Sequence, residues 1–110
     1  METKVTITIA TDFSIKPGAR YRKDGPNSGQ QFLEDLLLPA FERAVEGGYC
    51  VLVDLDGASG YPSSFVSGSF GKLSLEKGAE LVNRHLRFKS EKNKMRLERV
   101  MKEIANPKVK

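Results

Sequence analysis

Asp54 and Asp56 close the most continuously apolar run of the chain, and Ser63 and Ser64 follow within "GYPSSFVSGSFGKL". Two carboxylates two residues apart at a strand end point the same way. In α/β sheets ligands bind near the carboxyl ends of strands, so this pair suits a cation or a partner's arginine. Turn-forming carboxylates that accept from nearby backbone N–H groups give the same pattern. As a general acid–base pair they have no accompanying nucleophile and base. Cys50 begins the apolar run, where a free thiol behaves as a small hydrophobe. His85 lies on a predicted strand and forms no dyad that spacing supports; a surface or half-buried structural histidine is expected. A single cysteine excludes an internal disulfide and a cysteine-based metal cluster. These residues predict no catalytic group, metal or cofactor, and hence a protein that is not an enzyme.

A second set of candidates is basic. Arg20, Arg22 and Lys23 surround Tyr21 in "GARYRKDGPNSG", and such a cluster can clamp a phosphate or stack a base. It lacks the serial aromatics of a stacking platform and any Walker pattern. Arg84, Arg87, Lys89, Lys92, Lys94, Arg96 and Arg99 follow later. Residues 1–83 carry 8 Lys and Arg against 11 Asp and Glu, whereas residues 84–110 carry 10 against 3. Segregated charge of this kind marks a face for nucleic acid or an acidic partner. The solvated side of a terminal helix produces it equally, and only folding decides whether these residues converge.

The elements that must position these groups follow from periodicity. "KVTITIA" alternates Val5, Ile7 and Ile9 with polar residues, a half-buried strand. The loop after it carries the turn signal Asp24-Gly25 and a weak short strand at Ala19–Lys23. Ser28 and Gln31 have capping-box spacing. Leu33, Leu36, Leu37, Ala40, Phe41 and Ala44 then form one apolar helical face, stopped by Gly47-Gly48. Pro39 within it predicts one bent helix. "YCVLVDL" reads as a central strand covered on both faces. A second helix is expected over about Ser64–Lys77, with Phe65, Val66, Phe70 and Leu73 inward and Gly68 and Gly71 on one side. Missing side chains at those glycines would admit the sheet or another protein. Residues 84–90, "RHLRFKS", predict an edge strand whose charges discourage further pairing, and Leu97, Val100, Met101 and Ile104 predict a last helix. The order βαβαβα, with one further weak strand, belongs to an α/β domain. We expect a roughly four-stranded mixed sheet with three helices over residues 1–106 and a frayed tail at 107–110. Aromatic residues make up 8% of the chain with no tryptophan, which predicts an aliphatic core. Neither a membrane-length apolar run nor a signal-peptide pattern is present, so a cytoplasmic domain without membrane contact is expected.

"VLVDLDGASGYPSSFVSGSFGKL" resembles the strand–turn–helix core of STAS domains, the fold of the anti-sigma-factor antagonists. More closely it resembles the bacterial STAS-like family of small domains of unknown function. The matching features are Val51–Asp56, Ser64-Phe65 and Phe70-Gly71, with Gly18, Arg20, Ser28, Gly29 and Phe32 upstream, across roughly residues 3–90. The resemblance implies a STAS-like fold and a regulatory protein-interaction module. Its partner would be a histidine-kinase-like ATPase, an anti-sigma-type regulator or another signalling protein. Laid on the antagonists, the serine that a partner kinase phosphorylates falls on Ser64. Pro62 stands where they have aspartate, and Phe65 where they have glycine. A phosphate at a helix start would be stabilised there by the unsatisfied N–H groups. An ordinary helix-capping role for Ser63 or Ser64 is the alternative. At the level of function, nucleic-acid binding through the basic C-terminal third is the second possibility.

Overall fold

The structure, a computed structural model, describes residues 1–108. Strand β1 (Thr3–Thr8) passes into α1, the single turn Ile9–Asp12, and a loop carrying a 3-10 turn at Arg22–Asp24. Helix α2 starts as Gly29–Phe32, widens into a π turn at Leu33–Leu37 and continues as Leu38–Gly47. Strand β2 is Cys50–Asp54. Helix α3 has the same construction: Ser63–Val66, a π turn at Ser67–Gly71, then Lys72–Lys77. Helix α4 (Ala79–His85), β3 (Leu86–Lys89) and α5 (Lys94–Ala105) complete the chain.

The described sheet has three strands in the order β1-β2-β3, parallel throughout. The mixed, four-stranded sheet expected from sequence is therefore corrected. The weak strand at Ala19–Lys23 does not form, because its backbone is committed elsewhere. Gly29 and Gln30 donate their N–H groups to the carbonyls of Ala19 and Arg20 at 2.8 and 2.9 Å, and Gln31 donates to Ser28 Oγ at 3.0 Å. Together these satisfy the donors that a helix start leaves unpaired. Residues 84–90 are also corrected. Arg84 and His85 end α4, a helix absent from the sequence reading, and only Leu86–Lys89 extends. Gly78, at φ 90°, makes the sharp joint between α3 and α4 that a side chain would strain. Strand β3 nevertheless lies at an edge, as its charges predict.

Register and alternation place Ile7, Val53 and Phe88 on one face of the sheet, and Thr6, Leu52 and Arg87 on the other. The first face is the core face; on the second, Thr6 and Arg87 are exposed and Leu52 is half-buried. Strand β2 is thus not sealed on both sides, although Cys50, Val51 and Val53 are fully buried. The core is also more aromatic than composition predicts. Phe32 sits 5.3 Å from Phe13, 5.7 Å from Phe65 and 5.9 Å from Phe70, which continues to Phe88 at 5.4 Å. Offset and edge-on pairs of this kind add to simple burial. Pro39 is accommodated within one helix rather than two. Its ring and missing N–H disturb the bond to residue 35, and the π turn at Leu33–Leu37 absorbs that disturbance just upstream. Among the described residues no helix is long and apolar enough to cross a membrane. The tail expected at 107–110 falls partly outside the described residues; within them, the Lys108 N–H donates to the Glu103 carboxylate at 2.9 Å.

Helices α2 and α3 meet at Gly29. A Cβ there would stand 2.5 Å from the Phe65 carbonyl oxygen and 3.0 Å from the Gly68 carbonyl carbon, both rigid backbone. Gly29→Ala should therefore destabilise the domain by about 1–3 kcal/mol in a denaturant melt. Gly60→Ala, where a Cβ meets nothing within 4 Å, should stay within about 0.5 kcal/mol of the parent. Equal stabilities for the two variants would refute the contact.

Candidate functional site

The chain leaves the sheet after Asp54 and re-enters order at Ser63, and nearly every polar group between is used to hold that turn. Asp54 Oδ1 accepts from the Asp56 N–H at 2.9 Å, a local turn bond. The Ser59 N–H and hydroxyl both donate to the Ile15 carbonyl, at 2.7 and 2.9 Å. Tyr61 is buried and donates its hydroxyl to the Leu55 carbonyl at 2.9 Å, tying the end of the turn to its beginning. Burial pushes the Tyr61 phenol up to about 12, so it remains a donor. Helix α5 braces the same turn: Arg96 donates to the Leu55 carbonyl at 3.3 Å and lies 5.3 Å over the Tyr61 ring, and Arg99 donates to the Tyr61 carbonyl at 3.1 Å.

The result is a fixed platform for the amino end of α3. Pro62 occupies the capping position with extended geometry (φ −56°, ψ 145°), and no side chain caps the helix. Ser63 and Ser64 are the first two helical residues, so the capping role is corrected: a serine caps only from the position before the helix. Ser63 is exposed and Ser64 half-buried. The first N–H groups of α3 thus have no side-chain partner, and both serines lie in that first turn.

The other residues expected at a docking surface lie inside. Phe65 is fully buried among Phe13, Phe32 and Tyr61. Gly68 and Gly71 do serve close approach, but within the molecule. A Cβ at Gly68 would stand 2.7 Å from the Arg20 carbonyl oxygen, and one at Gly71 would meet the Glu103 side chain.

Asp54 and Asp56 do not form a shared ligand pair. Asp54 keeps to its own turn, with Lys89 Nζ 4.0 Å away. Asp56 reaches to the β3–α5 loop, accepting from the backbone N–H groups of Glu91 at 2.9 Å and Lys92 at 3.1 Å. Those two donors, the Glu91 bond foremost, hold its carboxyl below the usual value of 3.8. Among the described residues no group of three or more His, Cys, Asp or Glu is placed to hold a metal ion. His85 is buried at the end of α4, and its Nδ1 donates to the Tyr49 carbonyl at 2.8 Å. The Cys50 thiol is buried and donates to the Arg84 carbonyl at 3.3 Å.

The basic residues separate into groups. Arg22 pairs with Glu34 and Asp35 at 3.1 and 2.8 Å, which raises its already high pKa. Lys23 stands 5.7 Å over the Tyr21 ring. Arg84 pairs with Glu80 at 3.1 Å, and Arg87 folds onto the Asn83 and Leu86 carbonyls at 2.7 and 2.9 Å. Lys92 is exposed. Arg20 and Arg99 alone among the expected cations join Ser63 in one cleft, together with Ser67. Sequence reasoning missed Ser67, although its four-residue step from Ser63 places both on one helical face. It also missed Tyr61 as the latch of the turn, which no local signal marks.

A family model described as "STAS-like domain of unknown function (DUF4325)" matches residues 28–95. The chain belongs to this family. The match takes in α2, β2, the braced turn, α3, α4 and β3, whereas β1 and the loop bearing Gly18 and Arg20 precede it. Comparison with curated proteins gave no match, and comparison with solved structures gave none.

Asp56 supplies a test of the turn. A carboxyl whose value is lowered by folding contributes stability that is present above the ordinary aspartate range and lost as pH falls through the depressed value. The amide proton shifts of Glu91 and Lys92 should therefore titrate together, with a midpoint below 3.8. Asp56→Asn should abolish that titration, and a midpoint at or above the usual value would contradict the bonding described.

Proposed function

We propose that this STAS-like domain is a non-enzymatic regulatory module that docks a signalling protein through the Ser63–Ser64 turn and the start of α3. A histidine-kinase-like ATPase or an anti-sigma-type regulator is the kind of partner that kinship with STAS domains favours. The observation that carries this reading is the rigid presentation of two serines at an uncapped helix start, with Ser63 exposed. The brace of Tyr61, Arg96 and Arg99 means that the surface is shaped before a partner arrives, so little ordering entropy opposes docking.

A phosphate on either serine would lie against unsatisfied N–H groups and the positive end of α3. It would add about −1.5 to −2 charge to the surface a partner must approach, so one modification could release that partner. Pro62 and Phe65 shape the turn without touching this logic: proline sets the entry angle, and phenylalanine anchors the helix in the core.

Affinity capture from the native host, with mass spectrometry of both the captured proteins and the bait, tests the proposal. Ser64→Ala should retain a specific partner and Ser64→Asp should lose most of it. Phosphate, where present, should map to the peptide containing Ser63 and Ser64. Identical captures by parent, Ser64→Ala, Ser64→Asp and Ser63→Asp proteins would count decisively against docking at this turn.

A further inference from the structure

Between the loop before α2, the Ser63–Ser67 side of α3 and the last turns of α5 lies a cleft of about 480 Å³. Its lining includes Arg20, Ser63, Ser67, Arg99, Lys102 and Lys108, with Glu103 the one carboxylate. None of these four cations forms an ion pair among the described residues; the pairs present engage Arg22, Lys72, Lys77, Arg84 and Lys89.

Two polar atoms in the lining are buried without a hydrogen-bond partner among the described residues: Arg20 Nε and Ser67 Oγ. Buried polar groups are almost always satisfied in folded proteins. Ser67 is only 3% exposed, and its neighbours show the usual solution. Ser69 donates to the Phe65 carbonyl at 2.8 Å, and Ser74 donates to the Ile104 carbonyl. Ser67 has no such outlet, and it opens the π turn of α3, a distortion that recurs at functional sites. Gly68 completes the arrangement, because a Cβ there would stand 2.9 Å from Arg20 Cγ. The missing side chain is what lets Arg20 lie against the helix beside Ser67.

We propose that this cleft binds a small phosphate monoester, with the phosphate held by Arg20 and Ser67 and its charge balanced by Arg99 and Lys102. A guanidinium and a hydroxyl without partners, beside further cations, match the several acceptor oxygens of a dianion. The volume falls within the roughly 300–1,000 Å³ of small-molecule sites. It leaves room for a sugar or nucleoside body beyond the phosphate. This site stands whether or not the Ser63–Ser64 turn docks a protein.

NMR titration of the isotope-labelled full chain tests the proposal, with inorganic phosphate and AMP as probes and adenosine as the phosphate-free control. Phosphate and AMP should shift the backbone resonances of Arg20, Ser67, Arg99 and Lys102, and adenosine should not. Arg20→Gln should weaken AMP binding about tenfold or more, the usual loss for a charged hydrogen bond. Glu103→Gln should tighten it. Ser67→Ala should weaken binding severalfold while leaving the unliganded melting temperature unchanged or higher, since it removes a buried hydroxyl that lacks a partner. That combination separates ligand binding from a structural role. The proposal fails if millimolar phosphate and AMP leave these resonances unmoved, or if the shifts spread over remote cations such as Arg43 and Lys89. It fails equally if a short oligodeoxythymidine binds there while AMP does not, which would assign the cleft to nucleic acid.

Discussion

The backbone contact between α2 and α3 at Gly29 is the constraint on which the rest of this structure depends. Only a residue without a side chain lets the Phe65 carbonyl come so close. That approach allows Phe32 and Phe65 to pack at 5.7 Å beneath both helices. It also fixes the loop before α2, whose Ala19 and Arg20 carbonyls accept the first N–H groups of that helix. Arg20 is thereby carried to the side of α3, against Gly68. The cleft follows from this geometry rather than from any local motif.

A second theme is the use of charged and polar side chains as backbone braces. Asp56, Tyr61, Arg96 and Arg99 are residue types that do chemistry elsewhere. Here each hydrogen-bonds a backbone group around the β2–α3 turn. A parallel sheet of three short strands offers little edge on which to anchor the eight-residue excursion over 55–62. Side-chain donors from α5, and backbone N–H groups of the β3–α5 loop that donate to Asp56, supply that anchorage. The turn is therefore stiff where loops are usually mobile, a property that suits a surface for recognition.

Membership of the STAS-like family and the geometry of α3 point in the same direction. The helix presents Ser63 to solvent, buries Phe65, and turns Ser67 into a cationic cleft. If the two proposals hold, recognition, anchorage and ligand capture would lie within a single helical turn. A phosphorylated ligand in the cleft would lie next to the docking surface, close enough for its charge to be felt there.

Local order was largely written in the chain. The first strand, the apolar run from Cys50, the Ser28 cap and the stop at Gly48 each act through neighbouring residues, so pattern alone revealed them. Of the alternating Val5, Ile7 and Ile9, however, only Ile7 is a buried strand residue: Val5 is exposed and Ile9 begins α1. The serine-bearing helix start was legible for the same reason. Helix α4 was not, because Arg84 and His85 fit a strand alternation as well as a helix end, and only the four-residue register with β2 limits β3 to Leu86–Lys89. Nor was the fate of the charged groups. Whether Asp56 faces a metal or two amides, or whether Arg20 and Lys102 share a cleft while Arg22 and Arg84 are paired elsewhere, depends on residues distant in the chain. Periodicity records which face a side chain leaves by; the partner it meets there is set by packing, and packing is a property of the assembled fold.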